Sequence, residues 1–110
     1  MEIKFKDKTL QALCEKQHVA VQKLGSACAH KLRTRLADLA AASRVSDLVV
    51  GHPHPLSGDL QGQFALNLTG GWRLVFAPAN DPVPRRDDAS IDWSAVTIVR
   101  IEYIRSEERR

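Results

Sequence analysis

Phe64-Ala65-Leu66-Asn67-Leu68, Thr69-Gly70-Gly71 and Trp72-Arg73-Leu74-Val75-Phe76 follow one another without a break, and the reading of this run decides the fold. Phe64, Leu66 and Leu68 alternate with Ala65 and Asn67, and Trp72, Leu74 and Phe76 alternate with Arg73 and Val75. Successive strand side chains point to opposite faces, so each half is a strand with one apolar face. Thr69-Gly70-Gly71 supplies the turn, and the spacing predicts a β-hairpin.

Upstream, Glu2-Ile3-Lys4-Phe5-Lys6 alternates and predicts a short strand with Ile3 and Phe5 inward. Asp7 or Thr9 is placed to cap a helix running to about Leu24, with Leu10, Leu13, Cys14, Val21 and Leu24 near helical spacing. Gly25 ends it and Ser26 caps a second helix over residues 26–42, striped by Leu32, Leu36, Leu39 and Ala40. So short a junction implies an antiparallel helical hairpin. In Gly51-His52-Pro53-His54-Pro55 each histidine precedes a proline, which drives it to extended geometry; this is an ordered loop leading into the sheet. Residues 78–92 are polar and proline-rich and read as an exposed connection. Trp93 anchors the return into a strand at about 95–104. The expected class is α+β, with an N-terminal strand and a helical hairpin packed on a small antiparallel sheet. Residues 1–110 read as one domain.

Composition narrows the function. Sixteen Lys+Arg against thirteen Asp+Glu give a formal charge of +3, a mild bias toward polyanions. Aromatics are too sparse for tandem base stacking: two Trp, one Tyr and three Phe. Cys14 and Cys28 have no framework spacing and read as buried free thiols of a reducing compartment. No opening apolar segment resembles a secretion signal, and no run approaches the ~18 apolar residues of a membrane span. A cytoplasmic protein is expected.

Strand parity then selects candidate site residues. If the helices cover Phe64, Leu66, Leu74, Phe76, Val99 and Ile101, with Tyr103 on that same side, then Gln63, Asn67, Arg73, Arg100 and Glu102 fall on the open face. Polar side chains are the default on an open sheet. Two arginines on adjacent strands, Arg73 and Arg100, also suit a phosphate-binding groove, with Gln63 and Asn67 beside them. Cleavage of RNA through its 2′-hydroxyl needs a base, a cation at the phosphoryl oxygens and an acid for the leaving oxygen. His52 or His54 suits the proton transfers, because imidazole titrates near neutrality. His18 and His30 lie on helices and read as surface residues. His52 and His54 have no Cys, Asp or Glu at ligand spacing, so no metal site is expected. Phosphate-binding glycine loops, Gly-x-Ser-x-Gly and Cys-x-x-Cys are absent from the sequence.

Over residues 50–104 the sequence resembles the HigB-type killer-protein branch of the RelE/ParE toxin superfamily. The likeness is carried by His54, Leu56, Gly58, Leu60 and Gly62-Gln63-Phe64 as a loop-into-strand signature. Gly71-Trp72-Arg73-Leu74-Val75-Phe76 resembles the family's central strand, and Val96-Thr97-Ile98-Val99-Arg100-Ile101 follows in the same order. Pro82-Val83-Pro84 with Asp92-Trp93 is similar to a longer-insertion subgroup. The resemblance implies a toxin of a type II toxin–antitoxin pair that cleaves mRNA in the ribosomal A site. It further implies a HigA-type helix-turn-helix antitoxin as partner, in a hetero-oligomer, and no cofactor. By it His54 is the candidate acid/base and Arg73 the transition-state stabiliser. Many members carry a terminal Asp-Tyr-His, where this chain has Ser106-Glu107-Glu108-Arg109-Arg110. Three readings stay open there: Glu107 or Glu108 as acid/base, a ParE-like DNA gyrase inhibitor, and a catalytically inactive antitoxin- or RNA-binding relative.

Overall fold

The computed structural model describes residues 1–106. The alternating start forms β1 (Glu2–Phe5), with Ile3 and Phe5 packed against the core. Asp7 caps α1 (Lys8–Glu15) by accepting the Leu10 N–H at 2.9 Å. The single helix expected up to Leu24 is in fact two. Lys16 is extended (φ −114°, ψ 110°), and its carbonyl accepts the Val19 and Ala20 N–H groups to restart the chain as α2 (Gln17–Leu24). Glu15-Lys16-Gln17-His18 offers no apolar side chain to hold a continuous helix against the core. The break also changes the buried stripe: Ala20 goes inward at 3% exposure, and Val21, expected inward, is 36% exposed. Gly25 (φ 84°) both ends α2 and caps α3 (Ser26–Ala41), in place of the expected Ser26. Both cysteines are free thiols, Cys28 buried and Cys14 partly so; burial pushes the Cys14 thiol up to about 12, with the Glu15 carboxylate adding to the effect.

Four strands follow: β2 (His54–Pro55), β3 (Phe64–Asn67), β4 (Trp72–Pro78) and β5 (Ile98–Ser106). The five-stranded sheet runs β1-β5-β4-β3-β2. The expected β3–β4 hairpin forms, with Phe64 opposite Phe76, Asn67 opposite Arg73, and Gly70 and Gly71 both at positive φ in the turn. β1 lies parallel to β5, so the sheet is mixed where a purely antiparallel one was expected. No tight turn joins those two strands, and alternation is the same for either direction, so the sequence leaves their sense open.

α3 buries Leu32 and Leu39 against Leu66, Leu74, Phe76, Val99 and Ile101 from the sheet, each at 0–1% exposure. Burial of each such side chain contributes roughly 1.5–3 kcal/mol. Phe64 stacks on Phe76 at 5.6 Å and meets the edge of Trp93 at 4.8 Å, which ties the return of the 79–92 connection to the core. The Met1 ammonium donates to the carbonyls of Leu39, Ala40 and Ala42, a cation at the negative end of α3 that holds β1 to the helical layer.

One irregularity in β5 matters for function. Tyr103 opposes Val75 but Ile101 opposes Phe76, so Glu102 is an extra residue, a β-bulge. It inverts the parity beyond it. Ile104 faces the core opposite Leu74, while Tyr103 and Arg105 come out opposite Val75 and Arg73. Tyr103 therefore lies on the open face, not on the Val99/Ile101 face that strict alternation predicts.

Candidate functional site

The open face is organised by how the chain enters β2. Gly51 (φ 92°) and His52 (φ 51°) make a turn in the left-handed region. The Asn67 N–H donates to the Gly51 carbonyl at 2.7 Å and pins this turn to β3. Arg35 of α3 lies directly beneath: a Cβ on Gly51 would sit 2.9 Å from its Nε. Arg35 is only 7% exposed and is ion-paired to Asp38 at 2.6 Å. Pro55 holds His54 extended, as expected of a residue before proline. His52 before Pro53 departs from that expectation, because the turn with Gly51 puts it at φ 51°. β2 then sets His54 opposite Ala65 and Pro55 opposite Phe64.

Ladder register places His54, Ala65, Val75 and Tyr103 in one row across four strands. Ala65 and Val75 are fully buried although they belong to the open face, so larger neighbours roof them. Tyr103 does this directly: its hydroxyl donates to Gln63 Oε1 at 3.4 Å, crossing β4 above Val75. In the next row Arg73 stands between Asn67 and Arg105, and the Arg105 guanidinium covers the Tyr103 ring at 4.4 Å.

His54 holds two defining contacts. Its Nδ1 is 2.7 Å from the His52 carbonyl oxygen, and its Nε2 is 3.2 Å from Arg73 Nη1. A carbonyl only accepts and a guanidinium only donates. Nδ1 therefore carries the proton and Nε2 presents its lone pair, which is a neutral imidazole in a defined tautomer. The His52 ring is exposed, 4.8 Å from that of His54 and tilted by 42°. The part of His52 that bears on His54 most directly is its backbone oxygen.

The sequence-selected residues divide accordingly. His54, Arg73, Gln63 and Asn67 come together, with His52 behind His54. Arg100 is on the same face but opposes Ala77, four residues and about 13 Å along the strand from Arg73. It is ion-paired to Glu102 at 2.6 Å. The arginine directly opposite Arg73 is Arg105. Strict alternation missed Tyr103 and Arg105, and a cue was present: the apolar spacing Val99, Ile101, Ile104 steps by two and then by three, as a bulge requires. Glu107 and Glu108 lie outside the described residues. Among the described residues, no three His, Cys, Asp or Glu side chains gather in a metal-holding group, and no helix is long and apolar enough to cross a membrane.

No protein-family model and no curated protein matches the sequence. Solved structures do match it. A YoeB/ParE toxin from Agrobacterium tumefaciens superimposes with a TM-score of 0.61 at 13% identity, over 97% of this chain and 99% of that one. A chain of the YoeB-YefM complex from Staphylococcus aureus gives 0.59 at 13% identity, and the YoeB dimer from the same organism 0.56 at 15%, each over 97% of both chains. What is shared at such identities is architecture: three helices packed on a five-stranded mixed sheet, the YoeB/RelE-like toxin fold.

Proposed function

We propose that this chain is the toxin of a type II toxin–antitoxin pair and a metal-independent endoribonuclease that cuts mRNA in the ribosomal A site. The observation that carries the reading is the Arg73 Nη1 to His54 Nε2 contact of 3.2 Å on the open sheet face. It sets a neutral imidazole lone pair beside a cation, the pairing that phosphodiester transesterification requires. An incoming phosphate draws the Arg73 guanidinium into charge-assisted hydrogen bonds. His54 Nε2 then takes the proton of the ribose 2′-hydroxyl. The 2′-oxygen bonds to phosphorus and the 5′-oxygen leaves, giving a 2′,3′-cyclic phosphate and a new 5′-hydroxyl. Tyr103, a residue in the same row as His54 whose O–H donates to Gln63, is the proposed donor to the departing 5′-oxygen.

The resemblance at His54 to Phe64 and at Gly71 to Phe76 supports a HigB-type toxin with a helix-turn-helix antitoxin of HigA type and a cytoplasmic site of action. The Staphylococcus aureus complex of YoeB with YefM supports a protein partner in the general sense. The test is primer extension on mRNA from a purified translation system. Ribosome-dependent cuts at A-site codons are expected. His54→Ala and Arg73→Ala should each weaken them by roughly 100-fold or more with folding intact. Undiminished cutting by both variants would remove the site assignment. No cutting by the folded wild-type chain, together with inhibited DNA supercoiling by gyrase, would replace the reading with a ParE-like one.

A further inference from the structure

A cavity of about 540 Å³ adjoins the edge of the sheet at Pro55. Neighbouring residues on a strand face opposite ways, so Pro55 turns toward this cavity while His54 turns to the open face. Trp93 lines it and is braced edge-on against Phe64. Arg85, Arg86 and Ser90 contribute from the 79–92 connection, and Gln61 from the loop before β3. The rim is a built structure. Arg85 and Ile91 form an isolated antiparallel bridge, the Arg85 guanidinium donates to the Ala89 carbonyl at 2.9 Å, and the Arg86 N–H donates to the Ser90 carbonyl at 2.8 Å.

We propose that this cavity is a nucleotide subsite, with the base against Trp93 and Pro55, its edge toward Gln61 and Ser90, and the phosphate on Arg85 and Arg86. The chemistry favours such a ligand over simpler ones. A small anion has no use for an aromatic wall, and a purely apolar ligand makes no use of the two guanidinium groups at the rim, Arg85 beside the Ala89 carbonyl and Arg86 3.7 Å from Asp92. A nucleotide answers both, because unstacked bases are bound by aromatic faces and by hydrogen bonds to their edges, and phosphates by arginine. From Arg73 on β4 the sheet edge lies two strands away, roughly 10 Å across β3 and β2, and the cavity opens around that edge at Pro55, so an RNA strand with one phosphate at Arg73 reaches it by wrapping the β2 edge. The inference rests on the proposed nuclease reading, since it makes this nucleotide a neighbour of the scissile phosphate.

The experiment uses Trp72→Phe, which leaves Trp93 as the sole tryptophan. Its emission is titrated with AMP and CMP, then with ribose 5-phosphate and inorganic phosphate. A saturable change with the nucleotides is expected, at least about tenfold weaker with ribose 5-phosphate. Arg86→Ala removes an exposed side chain and should weaken nucleotide binding about tenfold with the fold unchanged, and should redistribute the cut positions in primer extension. No saturable response from the folded protein, or an equal response to inorganic phosphate, overturns the subsite. Nucleotide binding without any mRNA cutting removes the nuclease reading and leaves the subsite standing. Cutting by a protein without a nucleotide response, at positions that Arg86→Ala does not move, removes the subsite and leaves the nuclease reading.

Discussion

Gly51 holds the geometry on which His54 depends. Its φ of 92° is one that L side chains rarely adopt, and a Cβ there would press on the buried Arg35 at both Nε (2.9 Å) and Cδ (3.0 Å). Its carbonyl is also the anchor for Asn67. Gly51→Ala should therefore cost about 1–3 kcal/mol in urea denaturation. It should also displace the His52 carbonyl and free the His54 ring to exchange tautomers, visible in imidazole nitrogen chemical shifts. A variant as stable as wild type with unchanged imidazole shifts would show that the turn does not set His54. Part of this was legible in the sequence. The proline after His54 predicts its extended geometry and parity puts Arg73 on the open face, while the same rule fails for His52, which the Gly51 turn holds at φ 51°. That His52 acts on His54 through its backbone oxygen was not legible, because the pattern of side chains carries no information about where a carbonyl points.

At the scale of elements, alternation reads correctly until a strand adds a residue or a helix loses its phase. The β3–β4 hairpin follows its pattern throughout, and so the Arg73 side was predictable. β5 does not, and the Glu102 bulge moves Tyr103 from its expected side and brings Arg105 out beside it. In the helical layer Lys16 has the same effect, exchanging Val21 for Ala20 as the buried residue. Both events occur at charged residues within otherwise regular patterns, where no apolar contact enforces the register. The bulge can be tested by deletion. Removing Glu102 joins Ile101 to Tyr103 in regular alternation, which leaves Tyr103 opposite Val75 on the open face and Ile104 opposite Leu74 in the core. No apolar side chain changes sides, so the deletion should cost well below the loss of about 3–5 kcal/mol that exposing Ile104 and burying the Tyr103 phenol would bring. Glu102→Gln keeps the extra residue and should lose no more than about 1 kcal/mol, since Arg100 on the other end of the ion pair is half exposed. A loss of about 3–5 kcal/mol on deletion in chemical denaturation would mean that the strand beyond the bulge has changed faces, and that pairing with Val75 does not fix Tyr103 on the open face.

Across the whole molecule the two sides of the sheet have different tasks. The helical layer covers one side with the apolar core, while the other presents Lys4 with Arg100 and Arg73 with Arg105 in two rows on either side of the Val75–Tyr103 row. A net charge of only +3 conceals this arrangement, because most of the acidic residues, Glu2 and Glu102 excepted, lie elsewhere along the chain. Sequence alone placed Lys4 in a strand but gave no position for that strand in the sheet, so the width of the basic face was not legible. Binding of a polyanion to such a face releases condensed counterions, and each phosphate contact with a single strand steepens the dependence of affinity on salt by about 0.7 in log–log slope. Arg105→Gln should therefore flatten the salt dependence of binding to mRNA-programmed ribosomes by about 0.7. Arg33→Gln, an equally exposed arginine on the helical side, should leave the slope unchanged. Arg100→Gln falls between them, because Glu102 already neutralises part of that charge. Equal slopes for the Arg105 and Arg33 variants would mean that the protein's total charge governs the encounter with RNA, and that the open face has no special part in it.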